Sequence, residues 1–214
     1  EASVSSFEQP DGESRVALVI RDVAERELRR LELVRQLEAE KSIAAISRDL
    51  LAATGPAIDG AIRRALGMAA ALSGADRCYL VSTDEENAGG LLYFDWRAPG
   101  IADFPIRLSS EQARREKWAF QSLARGEAVH VPRVADLPEA AREAREKMLA
   151  NGVRSYLAVP VRVGERLVGL LGLHCLNSEK HWSSHEITWL RVVAELFTSA
   201  LERMRSDAAL RESE

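Results

Sequence analysis

The sequence predicts an α+β fold, a central antiparallel sheet covered by helices, with a long helix at each end. Three observations carry this expectation. From Ile58 onward the hydrophobic patterns run helix, two strands, helix, strand, helix, two strands, long helix. Tyr156–Val163 and Leu167–Leu176 are adjacent apolar runs joined at Gly164-Glu165, and the second is apolar on both faces. Such a strand belongs in the middle of a sheet covered on both sides. Finally, Ser183 and Glu186 spell the S-x-x-E capping box, flanked by Trp182 and Ile187 at the two staple positions.

Taken in order, Ala2, Val4, Ser6 and Glu8 share one face of a first strand, Asp11-Gly12 is a hairpin turn pair, and Arg15–Ile20 is a second strand. A two-stranded hairpin is marginal alone in water, so this one is expected to pack on a larger sheet or another chain. From Asp22, a candidate N-cap with Glu25 three residues on, a helical pattern runs to about Ala53 without Gly or Pro. Leu28, Leu31, Val34 and Leu37 form its apolar stripe, continued by Ala44, Ile46, Leu50 and Leu51. Glu38, Glu40 and Lys41 interrupt it, so it reads as a leaky seam for a parallel dimer, or else as a solvated helix lying on its own domain.

Gly55-Pro56 breaks that helix, and another spans Ile58 to about Leu72. Strands are expected at Arg77–Thr83 and Leu91–Ala98, a helix at Ser109–Arg125, a short strand at Ala128–Val131 and a helix at Asp136–Ala150. Asp136 with Glu139 is read as the cap of this last helix and Asn151-Gly152 as its end. In the run Leu167–Leu176, Leu167, Leu171 and Leu173 are expected on one face, with Val168, Leu170 and Leu176 on the other. The final helix carries Ile187, Leu190, Val193, Phe197, Leu201 and Met204 at helical spacing and shows no stop signal.

Composition narrows the classes of function. A formal charge of −4 gives no broad basic footprint for nucleic acid. No run approaches the roughly 18 apolar residues of a membrane span, and no secretory signal is visible. Two cysteines, Cys78 and Cys175, suit a reducing compartment, so a cytoplasmic location is expected. The start without Met and the helices projecting at both ends read as a segment of a longer chain.

From Gly152 the wording is also that of a family. Gly152-Val153-Arg154-Ser155-Tyr156-Leu157-Ala158-Val159-Pro160-Val161 resembles a segment of GAF domains. Gly169-Leu170-Leu171-Gly172-Leu173-His174 is similar to the glycine-punctuated strand that follows it there, and Trp182–Ile187 to the start of the last helix. Val19-Ile20-Arg21-Asp22-Val23-Ala24-Glu25-Arg26, with Glu1–Ser5, resembles the closing hairpin and exit of a PAS domain. The resemblance implies a remnant PAS hairpin at 1–21, a connecting signalling helix at 22–53, a GAF-like sensor at 54–205 and the start of an output linker at 206–214. It also implies a bacterial signalling protein of the histidine-kinase or cyclic-dinucleotide class. The chain would be a non-catalytic regulatory module, homodimeric through its terminal helices, with a downstream output domain and an unknown small-molecule ligand.

His174 and Cys175 are adjacent on a strand and point to opposite faces, and His181 precedes the helix that carries His185, so no ligand spacing for a metal emerges. Neither cysteine sits in a setting that lowers a thiol pKa, which disfavours nucleophilic or redox chemistry. Bilin-carrying GAF domains attach it at a cysteine followed by histidine, whereas His174-Cys175 has the reverse order and lies in a strand. The Asn-Lys…Phe…Asp-Glu signature of cyclic-nucleotide-binding members is absent from the sequence. A ligand pocket on one sheet face remains, with Tyr79, Trp96, Trp118, His130, Tyr156 and His174 as candidate lining and His174 as its strongest polar candidate. The competing expectation is a passive dimerisation spacer whose pocket is filled by side chains.

Overall fold

The computed structural model describes residues 2–8, 14–20, 24–84, 90–104 and 117–212. They divide into two compact units, Glu1–Glu40 and Lys41–Glu214. In the first, β1 (Ala2–Glu8) and β2 (Ser14–Ile20) pair antiparallel. The expected turn at Asp11-Gly12 and cap at Asp22 lie outside the described residues. Helix α1 (Ala24–Ala52) runs through the division between the units. Leu28, Leu31, Val34 and Leu37 are exposed on it, whereas Ile46 and Leu50 are buried in the core of the second unit.

The second unit is built on a five-stranded antiparallel sheet in the order β4-β3-β7-β6-β5. The strands are β3 (Arg77–Asp84), β4 (Gly90–Arg97), β5 (Val129–Val131), β6 (Ser155–Val163) and β7 (Arg166–Cys175). β7 is the middle strand, as its two apolar faces require. Helices α2 (Ala57–Ser73) and α5 (Ser184–Glu212) pack on one sheet face. There Cys78, Leu80, Leu157, Val159, Leu171 and Leu173 meet Ile62, Leu66, Val193 and Phe197 in the main core. Helix α3 (Lys117–Ala124) lies against the other face, where Tyr79, Val81, Val129, Val131, Tyr156 and Ala158 form a second apolar cluster. Among the described residues, no helix is long and apolar enough to cross a membrane.

Two local expectations are corrected. The helix expected at Asp136–Ala150 is broken: 3₁₀ turns occupy Val134–Asp136 and Glu139–Ala141, and α4 is only Arg142–Ala150. Pro138 lies between the turns in extended conformation, and Asp136 therefore caps nothing, since Ala141 precedes α4 without a side-chain cap. The face assignment along β7 also fails at its start. Val161 of β6 pairs with Gly169 but Arg162 pairs with Leu167, so Val168 is an extra residue in a bulge. The alternation resets there. Val168 packs with Leu171 and Leu173, while Leu167 and Leu170 pack on the opposite face.

The start of α5 follows its sequence pattern. The Ser183 backbone N–H donates to Glu186 Oε2 at 2.8 Å, and the Glu186 N–H donates to Ser183 Oγ at 3.3 Å. Leu190, Val193, Phe197 and Leu201 are buried, with Ile187 and Met204 packed against them.

Candidate functional site

Strand alternation places Arg77, Tyr79 and Val81 on the face away from α2 and α5. Tyr93 and Asp95 of β4, Leu170, Gly172 and His174 of β7, and Tyr156 and Ala158 of β6 share it through the register. Across the end of the sheet one row reads Arg97, Arg77, His174, Tyr156, Val131. The adjoining row reads Asp95, Tyr79, Gly172, Ala158, Val129.

Arg77 is the polar centre of this face and is fully buried. Its Nε and Nη2 donate to the two Asp95 carboxylate oxygens at 2.8 and 3.0 Å, a bidentate pair. Nη2 also donates to Tyr93 Oη at 2.6 Å and Nη1 to the Phe104 carbonyl at 2.9 Å. The guanidinium lies 4.1 Å from the centre of the Phe104 ring, a cation–π contact. Asp95 takes a second cation, Arg97, at 3.2 Å, and Arg97 reaches Asp103 at 3.0 Å. Burial pushes the Tyr93 phenol up to about 12, although Arg77 beside it acts in the opposite sense.

His174 stands beside this centre, 5% exposed. Its ring lies 5.0 Å from Tyr79, 5.5 Å from Tyr156 and 6.0 Å from Phe104, on which it stacks at 18°. Nε2 is 3.4 Å from Tyr79 Oη, and Nδ1 is buried without a hydrogen-bond partner among the described residues. Burial, assisted by the Arg77 charge, takes its pKa down to about 3, so the ring is neutral at neutral pH. Trp118 of α3 packs against the same cluster, and its Nε1 is also buried without a partner among the described residues. The site thus joins aromatic walls, a neutralised guanidinium and two unsatisfied ring nitrogens.

Of the six residues expected from sequence, Tyr79, Tyr156 and His174 are brought together, and Trp118 joins their cluster. Trp96 and His130 are placed elsewhere. Trp96 pairs with Cys78 and packs on the main-core face, where a Cβ on Gly67 of α2 would stand 2.8 Å from its Nε1. His130 alternates with Val129 and Val131, which face the site, so its own ring turns toward the start of α5. Arg77, Tyr93, Asp95 and Phe104 escaped the sequence reading. The alternation in Arg77-Cys78-Tyr79 and Tyr93-Phe94-Asp95 held the signal, but only the cross-strand register makes it usable.

Other chemistry finds little support. Cys78 and Cys175 are both buried; burial first, and then nearby carboxylates, raises Cys78 well above its ordinary value and Cys175 to about 11. Among the described residues no three His, Cys, Asp or Glu side chains gather as a metal site.

Comparison with known proteins agrees with this fold. The chain is 27% identical over 197 residues to the methanogenesis regulatory histidine kinase FilI of Methanothrix harundinacea, spanning 90% of this chain but 22% of that protein. Three solved structures share the fold. One is GAF3 of Slr1393 from Synechocystis sp. PCC6803, with TM-score 0.55 and 22% identity over 73% of this chain and 99% of that one. Another is the GAF domain of an Acinetobacter phosphoenolpyruvate-protein phosphotransferase, with TM-score 0.57 and 14% identity over 78% and 93%. The third is the far-red absorbing dark state of JSC1_58120g3 with bound biliverdin IXα, with TM-score 0.59 and 15% identity over 77% and 99%. The family model for the GAF domain matches residues 58–201, and the chain belongs to that family.

Proposed function

We propose that this chain is a sensory and regulatory module of a larger signalling protein, holding a small molecule on the sheet face around His174 and passing its occupancy to the terminal helices. The observation that carries this reading is the buried, unpartnered Nδ1 of His174 in a face where the neighbouring Arg77 is fully paired. An unsatisfied buried nitrogen costs about 1–3 kcal/mol, which a ligand hydrogen bond would recover. Trp118 Nε1 can only donate, so the ligand should present an acceptor to it. Arg77 is neutralised by Asp95 and His174 is uncharged, which favours a ligand without net charge over a phosphate.

The path outward is supported by Arg203 of α5, which donates hydrogen bonds to the carbonyls of Leu50 and Leu51 at the end of α1. A shift of either helix would be felt by the other through these bonds. The exposed Leu28, Leu31, Val34 and Leu37 favour a homodimer formed along α1. The hairpin β1–β2 is read as the end of an upstream PAS domain. By likeness to the methanogenesis regulatory kinase, the output would be a histidine kinase elsewhere in the parent chain.

The test is thermal denaturation against a panel of uncharged heteroaromatic and carbonyl metabolites, run on the chain and on His174→Phe. At least one compound should raise Tm of the unmodified chain and not of the variant. A panel without any effect counts for the second reading, a passive spacer. That reading has its own support in the Tyr79 ring, which lies over Gly172 and fills space on the same face. Light scattering before and after removal of residues 1–40 tests the dimer.

A further inference from the structure

His130, set aside from the sheet-face site, occupies a second arrangement at the start of α5. The Trp182 backbone N–H donates to His130 Nε2 at 3.2 Å. That bond requires Nε2 to carry a lone pair, which fixes the neutral ring with its proton on Nδ1. Trp182 is itself an anchor: it is 1% exposed, and its indole N–H donates to the Ser73 carbonyl at 3.0 Å. One residue further on, the capping box begins. His181 also stands against the His130 ring, edge-on with centroids 4.7 Å apart.

We propose that His130 and His181 form a pH-sensitive latch on the start of α5, closed while His130 is neutral and opened when it takes up a proton. A protonated Nε2 can no longer accept from Trp182, so the amide loses its partner in a half-buried setting. With both rings protonated, two cations would face each other at 4.7 Å. Among the described residues, His181 and Glu186 are the charged or titratable groups that act on His130, and Lys180 is paired with Glu186. Lys180 and His181 come from the segment before α5, and Glu186 from its first turn. From β6 the residue opposite is the apolar Leu157. Glu186 would favour the imidazolium, but it is already held by Lys180 Nζ at 3.0 Å and the Ser183 N–H at 2.8 Å. Burial first and then His181 lower the His130 pKa below 6.5, against the weaker pull of Glu186. The latch therefore holds fully above pH 6.5 and is lost as pH falls through the depressed pKa. This inference does not depend on any ligand reaching His174.

The experiment is NMR on the full chain between pH 7.5 and 4.5, following the His130 ring and the hydrogen exchange of the Trp182 and Leu171 amides. The His130 midpoint should lie below 6.5, and the protection of Trp182, corrected for intrinsic exchange, should fall about tenfold across it in the chain and not in His130→Gln, whereas Leu171 should show the same pH profile in both. In His130→Gln the side-chain amide oxygen can still accept, so protection should not vary with pH. In His181→Gln the midpoint should move upward. A Trp182 profile identical in the chain and in His130→Gln would overturn the latch. So would a Trp182 loss that tracks Leu171 in both proteins, which marks global acid unfolding. Should His130→Gln fail to fold, an unmoved midpoint in His181→Gln overturns it independently.

Discussion

Arg77 and His174 stand directly opposite each other on β3 and β7, both buried, the first charged and the second held neutral. The pairing makes the fold sensitive to acid. With its folded pKa lowered from 6.5 to about 3, His174 takes up a proton in the unfolded chain before it does in the folded one. Its contribution is complete above pH 6.5 and is lost as pH falls from there toward 3. Each unit of pH crossed costs about 1.4 kcal/mol, so urea denaturation should show about 2 kcal/mol lost between pH 6.5 and pH 5. His174→Phe should flatten much of that slope, His130 supplying the remainder. An unchanged slope would mean that the ring is not held neutral by its surroundings.

The pair between Arg77 and Asp95 is bidentate and buried in the sheet. Asp95→Ala would leave a fully buried guanidinium with only Tyr93 and the Phe104 carbonyl. Removing one partner of a buried pair typically costs about 3–5 kcal/mol, whereas replacing both by apolar residues of similar volume is often near neutral. Asp95→Ala should therefore lower unfolding stability by about 3 kcal/mol or more, and Arg77→Met with Asp95→Leu should recover a large part. A double variant as unstable as Asp95→Ala would place the loss in packing instead of in uncompensated charge.

Element identity was readable where local chemistry decides it. The capping box of Ser183 and Glu186 forms as its spacing demands, and the stripe from Ile187 to Met204 packs as one face. The site was half readable. Tyr79, Tyr156 and His174 share parity with their strands' inward positions, but Trp96 and His130 are out of phase with them. Aromatic type alone cannot reveal which face a strand residue takes; only the register of Cys78 against Trp96 can. Arg77 eluded the reading because a lone arginine at a strand start usually marks the surface, and its buried status depends on Asp95, eighteen positions away. The bulge at Val168 was hidden for a related reason: both faces of β7 are apolar, so a slipped alternation leaves no mark on the pattern.

Gly169 and Gly172 punctuate β7 for different reasons, and alanine at each should separate them. A Cβ on Gly169 would stand 2.1 Å from the Val81 backbone carbonyl oxygen, so β3 and β7 would have to move apart beside the bulge. A Cβ on Gly172 would meet Tyr79 Cζ at 2.3 Å, a side chain that crosses the strand. Overpacking of this kind costs about 1–3 kcal/mol, with the backbone clash at the upper end or beyond. Gly172→Ala should regain stability when combined with Tyr79→Leu, and Gly169→Ala should not. Equal rescue of both by Tyr79→Leu, in chemical denaturation, would refute the distinction.

The two cysteines sit on the main-core face, away from the Tyr79 and His174 site, although Cys175 directly follows His174 in sequence. Cys175 Sγ contacts the Gly74 carbonyl at 3.6 Å, and Cys78 is fully enclosed. Burial keeps both protonated at neutral pH, and the thiolate is the nucleophile. Biliverdin IXα mixed with the folded chain should therefore leave no covalent chromophore after denaturing electrophoresis, despite the shared fold with a biliverdin-bound GAF domain. An aromatic disulfide reagent should find no rapidly reacting thiol in buffer and two in urea. A thiol that reacts within seconds in buffer, or a zinc-fluorescent band on the gel, would show that a cysteine is accessible. Covalent chemistry at this sheet would then be open, with the His174–Cys175 pair as a candidate for attachment.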